Sequence, residues 1–126
     1  VDGAHNAGAA DKMAESIRHY FNGKKLIYIM GVFADKEYKI VLEKTAHFAE
    51  KIYTIETPDN PRALPAEELA KAARVYNSSA ESTKSIKDAV EKAFSCAGDD
   101  ENSVILAFGS LSFIGALTDA VEEYVG

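Results

Sequence analysis

Four short stretches of this sequence carry residue types that do chemistry where a strand turns into a helix. The first is Val1-Asp2-Gly3-Ala4-His5-Asn6, with an acid and an imidazole three apart. The others contain Asp35-Lys36, Asp59-Asn60-Pro61-Arg62 and Gly109-Ser110. A carboxylate accepts hydrogen bonds from hydroxyls, an imidazole moves a proton near neutral pH, and Lys and Arg hold anions. Beside free N–H groups at helix starts, such a set suits an anionic ligand such as a nucleotide or a dicarboxylate. Each stretch also has a plain structural use. Asp2 can end a strand and cap a helix, and His5 can be a surface residue. Asp59 to Arg62 is a good turn, and Ser110 can cap.

The elements that would position these groups follow from hydrophobic spacing. Asn6 can cap a first helix whose apolar face is Ala10, Met13, Ala14, Ile17 and Phe21, ended by Asn22-Gly23. The run 25–30 (KLIYIM) reads as a buried strand, and Tyr38, Val41, Leu42, Thr45 and Phe48 mark a second helix. Residues 51–55 (KIYTI) form the next strand, followed by a polar loop over 56–64. Pro65 opens a helix with Ala66, Leu69, Ala70 and Ala73 inward, and a short strand is expected over 75–78. Ile86, Ala89, Val90, Ala93 and Phe94 define a fourth helix, 103–108 (SVILAF) a strand, and Ile114, Leu117 and Val121 a last helix.

Strands and helices thus alternate, and the strands are apolar runs rather than alternating patterns, which favours parallel strands covered on both faces. The expected fold is a Rossmann-like three-layer α/β/α sandwich with a mainly parallel sheet, one domain over residues 1–126. A parallel sheet puts every strand-to-helix loop on one edge, so the four polar stretches fall on a common rim. His19 and His47 lie on helices away from that rim and read as structural or solvent-facing. The chain opens at the end of a strand, without an initiator Met, which suggests a piece of a longer protein.

Composition narrows the class. Of 126 residues, 47% are hydrophobic and 27% charged, as in an ordinary globular chain. A net charge of −6 argues against a duplex nucleic-acid partner. The single cysteine, Cys96, leaves no internal disulfide framework and fits a reducing, cytoplasmic compartment. No apolar run approaches the roughly 20 residues of a membrane span. There is no G-x-G-x-x-G or G-x-x-x-x-G-K-[ST] phosphate loop, no Cys/His cluster with metal spacing and no G-x-S-x-G elbow.

The rim segments together resemble a known family. Asp2-Gly3-Ala4-His5-Asn6 is similar to the D-G-A-H-N-P motif that opens the C-terminal domain of folylpolyglutamate and dihydrofolate synthases, members of the Mur ligase superfamily. The likeness continues through 31–36 (GVFADK, pattern G-x-x-x-D-K), 60–65 (NPRALP) and 108–111 (FGSL), in order along the chain. Ala7 stands where the motif usually has proline, and 115–118 (GALT) departs from the usual continuation.

The resemblance implies an ATP-dependent folate:L-glutamate ligase whose P-loop, Mg²⁺ ligands and most of the folate pocket lie in an N-terminal domain absent from this chain. It implies that Asp2 accepts from the ATP ribose and that His5 stands near the phosphates or the incoming amino acid. Ser110 and Arg62, with Asn60 and Lys36, would hold glutamate carboxylates. The parent would be monomeric and this piece alone inactive. Asp59-Asn60-Pro61-Arg62 also resembles the D-N-P-R motif of UDP-MurNAc-tripeptide synthetases, but Gly3 and Asn6 favour the folate branch. A free-standing α/β binding module is the alternative from a different class.

Overall fold

The computed structural model describes residues 7–21, 23–32, 38–57, 61–98 and 102–109. Within them the order is α1 (Ala7–Tyr20), β1 (Lys25–Gly31), α2 (Tyr38–Thr45), a 3₁₀ turn (Ala46–Phe48), β2 (Ala49–Thr54), α3 (Ala66–Arg74), β3 (Ala80–Ser82), α4 (Ile86–Ala97) and β4 (Ser103–Gly109). The four strands make one sheet in the order β3-β2-β1-β4, and every pairing is parallel.

The run KLIYIMG becomes the inner strand β1, because a strand with neighbours on both sides and helices on both faces exposes nothing. Every residue from Leu26 to Gly31 is buried. Alternate side chains point to opposite faces. Leu26, Tyr28 and Met30 join Ile17, Val41, Leu42, Leu69 and Ala73 from α1, α2 and α3. Ile27 and Ile29 join Ile86, Ala89, Val90 and Ala93 from α4. Two separate cores with a sheet between them are the three layers expected from the sequence. Fully burying each of these large aliphatic chains stabilises the fold by about 1.5–3 kcal/mol relative to exposure.

Helix ends follow local chemistry. Ser85 accepts from the Asp88 N–H at 3.0 Å while Asp88 Oδ2 accepts from the Lys84 N–H at 3.0 Å, a reciprocal start for α4. Gly98, at φ +57°, ends that helix, and its N–H donates to Phe94 O. Of the inward face expected for α1, Ala14 and Ile17 are buried and Phe21 packs against the same core. The side chains of Ala10 and Met13 lie outside the described ones, as does the expected last helix around Ile114.

Two expectations need correction. The second helix does not run as α-helix to Phe48: α2 stops at Thr45 and a 3₁₀ turn follows. There the Ala49 N–H bonds Ala46 O instead of Thr45 O, and Thr45 O accepts from the buried Tyr28 hydroxyl at 2.8 Å. Nor is there a strand over 75–78. The turn after α3 continues, with Tyr76 and Asn77 N–H both bonded to Ala73 O, and Val75 is 75% exposed. The edge strand lies five residues further on, at Ala80–Ser82, opposite Ile52 to Thr54. Asn77 places it: Nδ2 donates to Ala46 O and Ala49 O, each at 2.8 Å, while Oδ1 accepts from the Ser79 N–H and hydroxyl. Arg74 Nε then holds Ala80 O at 3.0 Å.

Candidate functional site

Because all strands are parallel, their C-terminal ends share one edge, and the backbone ties that edge together. Gly31 stands opposite Gly109 in the β1–β4 register. The Ile55 N–H donates to Met30 O at 2.8 Å, and the Leu64 N–H to Val32 O at 3.0 Å. The loop after β2 therefore leaves from beside β1 and returns to it. Thr54 Oγ1 donates to Ala66 O at 2.7 Å, fixing the first residue of α3 to the end of β2. Thr83 closes the far side, its N–H and Oγ1 both bonded to Thr54 O, at 3.0 and 2.8 Å.

Gly31 matters here for a steric reason. A Cβ at that position would run into Cδ1 of Ile55 and come within 3.0 Å of its Cγ1. Lacking one, β1 lets Ile55 cross its end fully buried. The chain can thus turn from β2 into the polar loop close against the sheet.

Of the residues singled out by sequence, Arg62 is the one described. It is exposed, in the turn directly before the Ala63-Leu64 return to Val32. Asp2, His5, Asp35, Lys36, Asp59, Asn60 and Ser110 lie outside the described residues. The residues that bracket them, Ala7, Val32, Tyr38, Thr57, Pro61 and Gly109, are described. Asn60 and Lys36 belong to segments that leave the C-terminal ends of β2 and β1, and Ser110 follows directly on β4. The chain thus enters the segments after β1, β2 and β4 from one edge of the sheet. One rim residue went unremarked in the sequence. Thr57 is 1% exposed, and its Oγ1 has no hydrogen-bond partner. No sequence signal marks it, since a threonine after a strand is ordinary.

The groups with shifted titration lie elsewhere. Burial raises the pKa of the Tyr28 phenol, inside the core. Tyr53 is pushed up to about 12, mainly by burial on the α4 face. Glu81 is held below its ordinary value by its hydrogen bonds to Lys92 and Lys51, both 3.1 Å away. These three line an open groove of about 440 Å³ with Tyr53, Ser95 and Cys96. Both cations share that carboxylate, and Lys92 also meets Asp88 at 3.5 Å, so the two positive charges are met by two negative ones and hold β2, β3 and α4 together. Among the described residues, no three His, Cys, Asp or Glu side chains gather as a metal site, and no helix is long and apolar enough to cross a membrane.

The fold and its rim define an α/β domain built to present polar loops and helix N-termini along one sheet edge. Residues 1–111 match the model of the Mur ligase, glutamate ligase domain, and the chain belongs to that family. It is 29% identical over 114 residues to the dihydrofolate synthase/folylpolyglutamate synthase of Bacillus subtilis, covering 90% of this chain and 25% of that protein. The Mycobacterium tuberculosis protein of the same description is 28% identical over 101 residues, covering 79% of this chain and 20% of that one. A crystal structure of M. tuberculosis folylpolyglutamate synthase complexed with ADP and AMPPCP superposes with a TM-score of 0.82 at 26% identity, over 96% of this chain and 29% of that one. The Thermotoga maritima folylpolyglutamate synthase gives 0.74 at 26% identity, over 96% and 27%. The chain therefore spans a quarter or less of the length of these curated relatives.

Proposed function

We propose that this chain is the C-terminal domain of a cytoplasmic, monomeric ATP-dependent folate:L-glutamate ligase of the folylpolyglutamate synthase/dihydrofolate synthase type. The observation that carries the reading is the family match over residues 1–111 on a parallel α/β sheet of the matching fold. On this reading the domain closes over a nucleotide bound mainly by a preceding domain and helps receive the incoming amino acid. Closure excludes water from an acyl phosphate that would otherwise hydrolyse.

The reaction transfers the γ-phosphoryl group of ATP to a folate or pteroate carboxylate. The glutamate amine attacks the acyl phosphate, and phosphate leaves as the amide forms. Asp2 accepts from the ribose hydroxyls, and His5 stands by the phosphates or the incoming amino acid. Arg62 and Ser110, with Asn60 and Lys36, neutralise and orient the carboxylates of glutamate. The described residues fit this share of the work. They offer helix N-termini and a guanidinium for anions, and the resemblance puts the Mg²⁺ ligands in the preceding domain. When bound, that ion supplies charge neutralisation for phosphoryl transfer.

The test is phosphate release by the full-length ligase in the presence of ATP, a folate and L-glutamate. Release dependent on all three is expected, and none from the isolated 126 residues. Activity of the isolated chain would overturn the division of labour. The D-N-P-R stretch at Asp59 to Arg62 supports one rival, a peptidoglycan ligase of the UDP-MurNAc-tripeptide synthetase type. Turnover of a UDP-MurNAc-dipeptide instead of folate would decide for it.

A further inference from the structure

The described structure contains four buried threonines, Thr45, Thr54, Thr57 and Thr83. Three of them donate their hydroxyl to a main-chain carbonyl: Thr45 to Val41 at 2.7 Å, Thr54 to Ala66 at 2.7 Å and Thr83 to Thr54 at 2.8 Å. Thr57 donates to nothing, although its Oγ1 is shielded from solvent. A hydroxyl that has lost its water without gaining a partner destabilises the fold, and valine of the same shape would avoid the loss. Such an atom calls for an explanation.

Its place supplies one. Thr57 stands where the loop leaves the end of β2, three residues before Asn60 and five before Arg62. Among the described residues the other buried unpartnered side-chain atom, Ser103 Oγ, is at the start of β4, at the opposite end of the sheet, and Thr57 is the one at the strands' C-terminal edge.

We infer that Thr57 is a binding residue for the incoming amino acid, its hydroxyl donating to a carboxylate oxygen of that substrate when the site is filled. The inference rests on the reading of this domain as part of a glutamate ligase. A carboxylate is the fitting acceptor because hydrogen bonds to charged groups are the stronger ones, and because the same loop carries Arg62. The proposed function gives the nucleotide instead to Asp2, ahead of α1 in the chain.

The experiment compares Thr57→Val and Thr57→Ser in the full-length ligase, measuring the unliganded Tm, the KM values for glutamate, ATP and folate, and the thermal shift on adding glutamate. For Thr57→Val the expected result is a KM for glutamate raised about tenfold and a weakened glutamate-induced shift. The KM values for ATP and folate stay within about twofold, and the unliganded Tm is not lowered. Thr57→Ser, which keeps the donor, restores glutamate KM. An unchanged glutamate KM in Thr57→Val overturns the inference. So does a lowered unliganded Tm, which would mean the hydroxyl is paired within the fold. A wild-type ligase that uses no glutamate would instead remove the functional reading, and this inference with it.

Discussion

Ile55 occupies the space that a side chain on Gly31 would need. The two residues meet where β1 ends and the chain leaves β2, and the Ile55 N–H is bonded to Met30 O at 2.8 Å. One missing Cβ thus allows the rim to be drawn tight against the sheet.

Gly31→Ala tests that relationship. Inserting a methyl into a filled site costs about 1–3 kcal/mol through displaced side chains and backbone. The expected drop in Tm is several degrees, with part of the stability regained in Gly31→Ala/Ile55→Val. No recovery in the double variant would show that Ile55 is not the obstacle.

Asn77 should matter more than its position in a turn suggests. Its amide bridges Ala46 O and Ala49 O while its oxygen holds Ser79, so Asn77→Ala takes a donor from both carbonyls, Ala46 O keeping the Ala49 N–H, and unties Ser79. A loss of about 2–3 kcal/mol is expected from denaturant unfolding, since each orphaned group costs about 1–3 kcal/mol and water recovers part of it. Hydrogen exchange should speed up first in β3.

Tyr28→Phe removes one oxygen from the middle of the core. The Thr45 carbonyl loses its donor, and about 1–2 kcal/mol of stability should go with it. Burial raises the phenol's pKa above its ordinary 10.0. As pH climbs past about 10 the unfolded chain therefore loses this proton while the folded one keeps it, and wild-type stability should fall there by a part that Tyr28→Phe lacks. Titration followed by tyrosinate absorbance checks the second point.

Glu81 gives a pH dependence with a definite sign. Its folded pKa lies below the ordinary 4.5 because of Lys92 and Lys51. Its contribution is therefore complete above about pH 4.5 and fades as pH falls through the lower folded value. Exposed pairs of this kind contribute under about 1 kcal/mol. Wild type should exceed Glu81→Gln in Tm by a few degrees at pH 7, and the two curves should converge toward pH 3. A gap that persists at pH 3 would assign the effect to packing.

Arg62 is the functional counterpart. Arg62→Ala in the full-length ligase should raise the KM for glutamate by tenfold or more, and Arg62→Lys should recover only part. A planar fork meets a carboxylate at two points, whereas an ammonium is a single charge. An unchanged glutamate KM in both variants would take Arg62 out of the site.

Much of this molecule was legible before any coordinates. The apolar run of β1, the face of α4 and the helix start at Pro65 are local patterns, and burial on two faces followed from them. So did the parallel sheet, because strands followed by covering helices return the chain to the same end each time. Ala80-Glu81-Ser82 has no apolar pattern, and only pairing with β2, together with the Asn77 and Arg74 contacts, makes it a strand. The apolar Val75-Tyr76 looks better suited to the task but is spent on the turn after α3. Likewise, nothing in the order of residues distinguishes Thr57 from Thr54. Which hydroxyl finds a carbonyl depends on what the packed chain brings within 3 Å, and that is settled by tertiary structure alone.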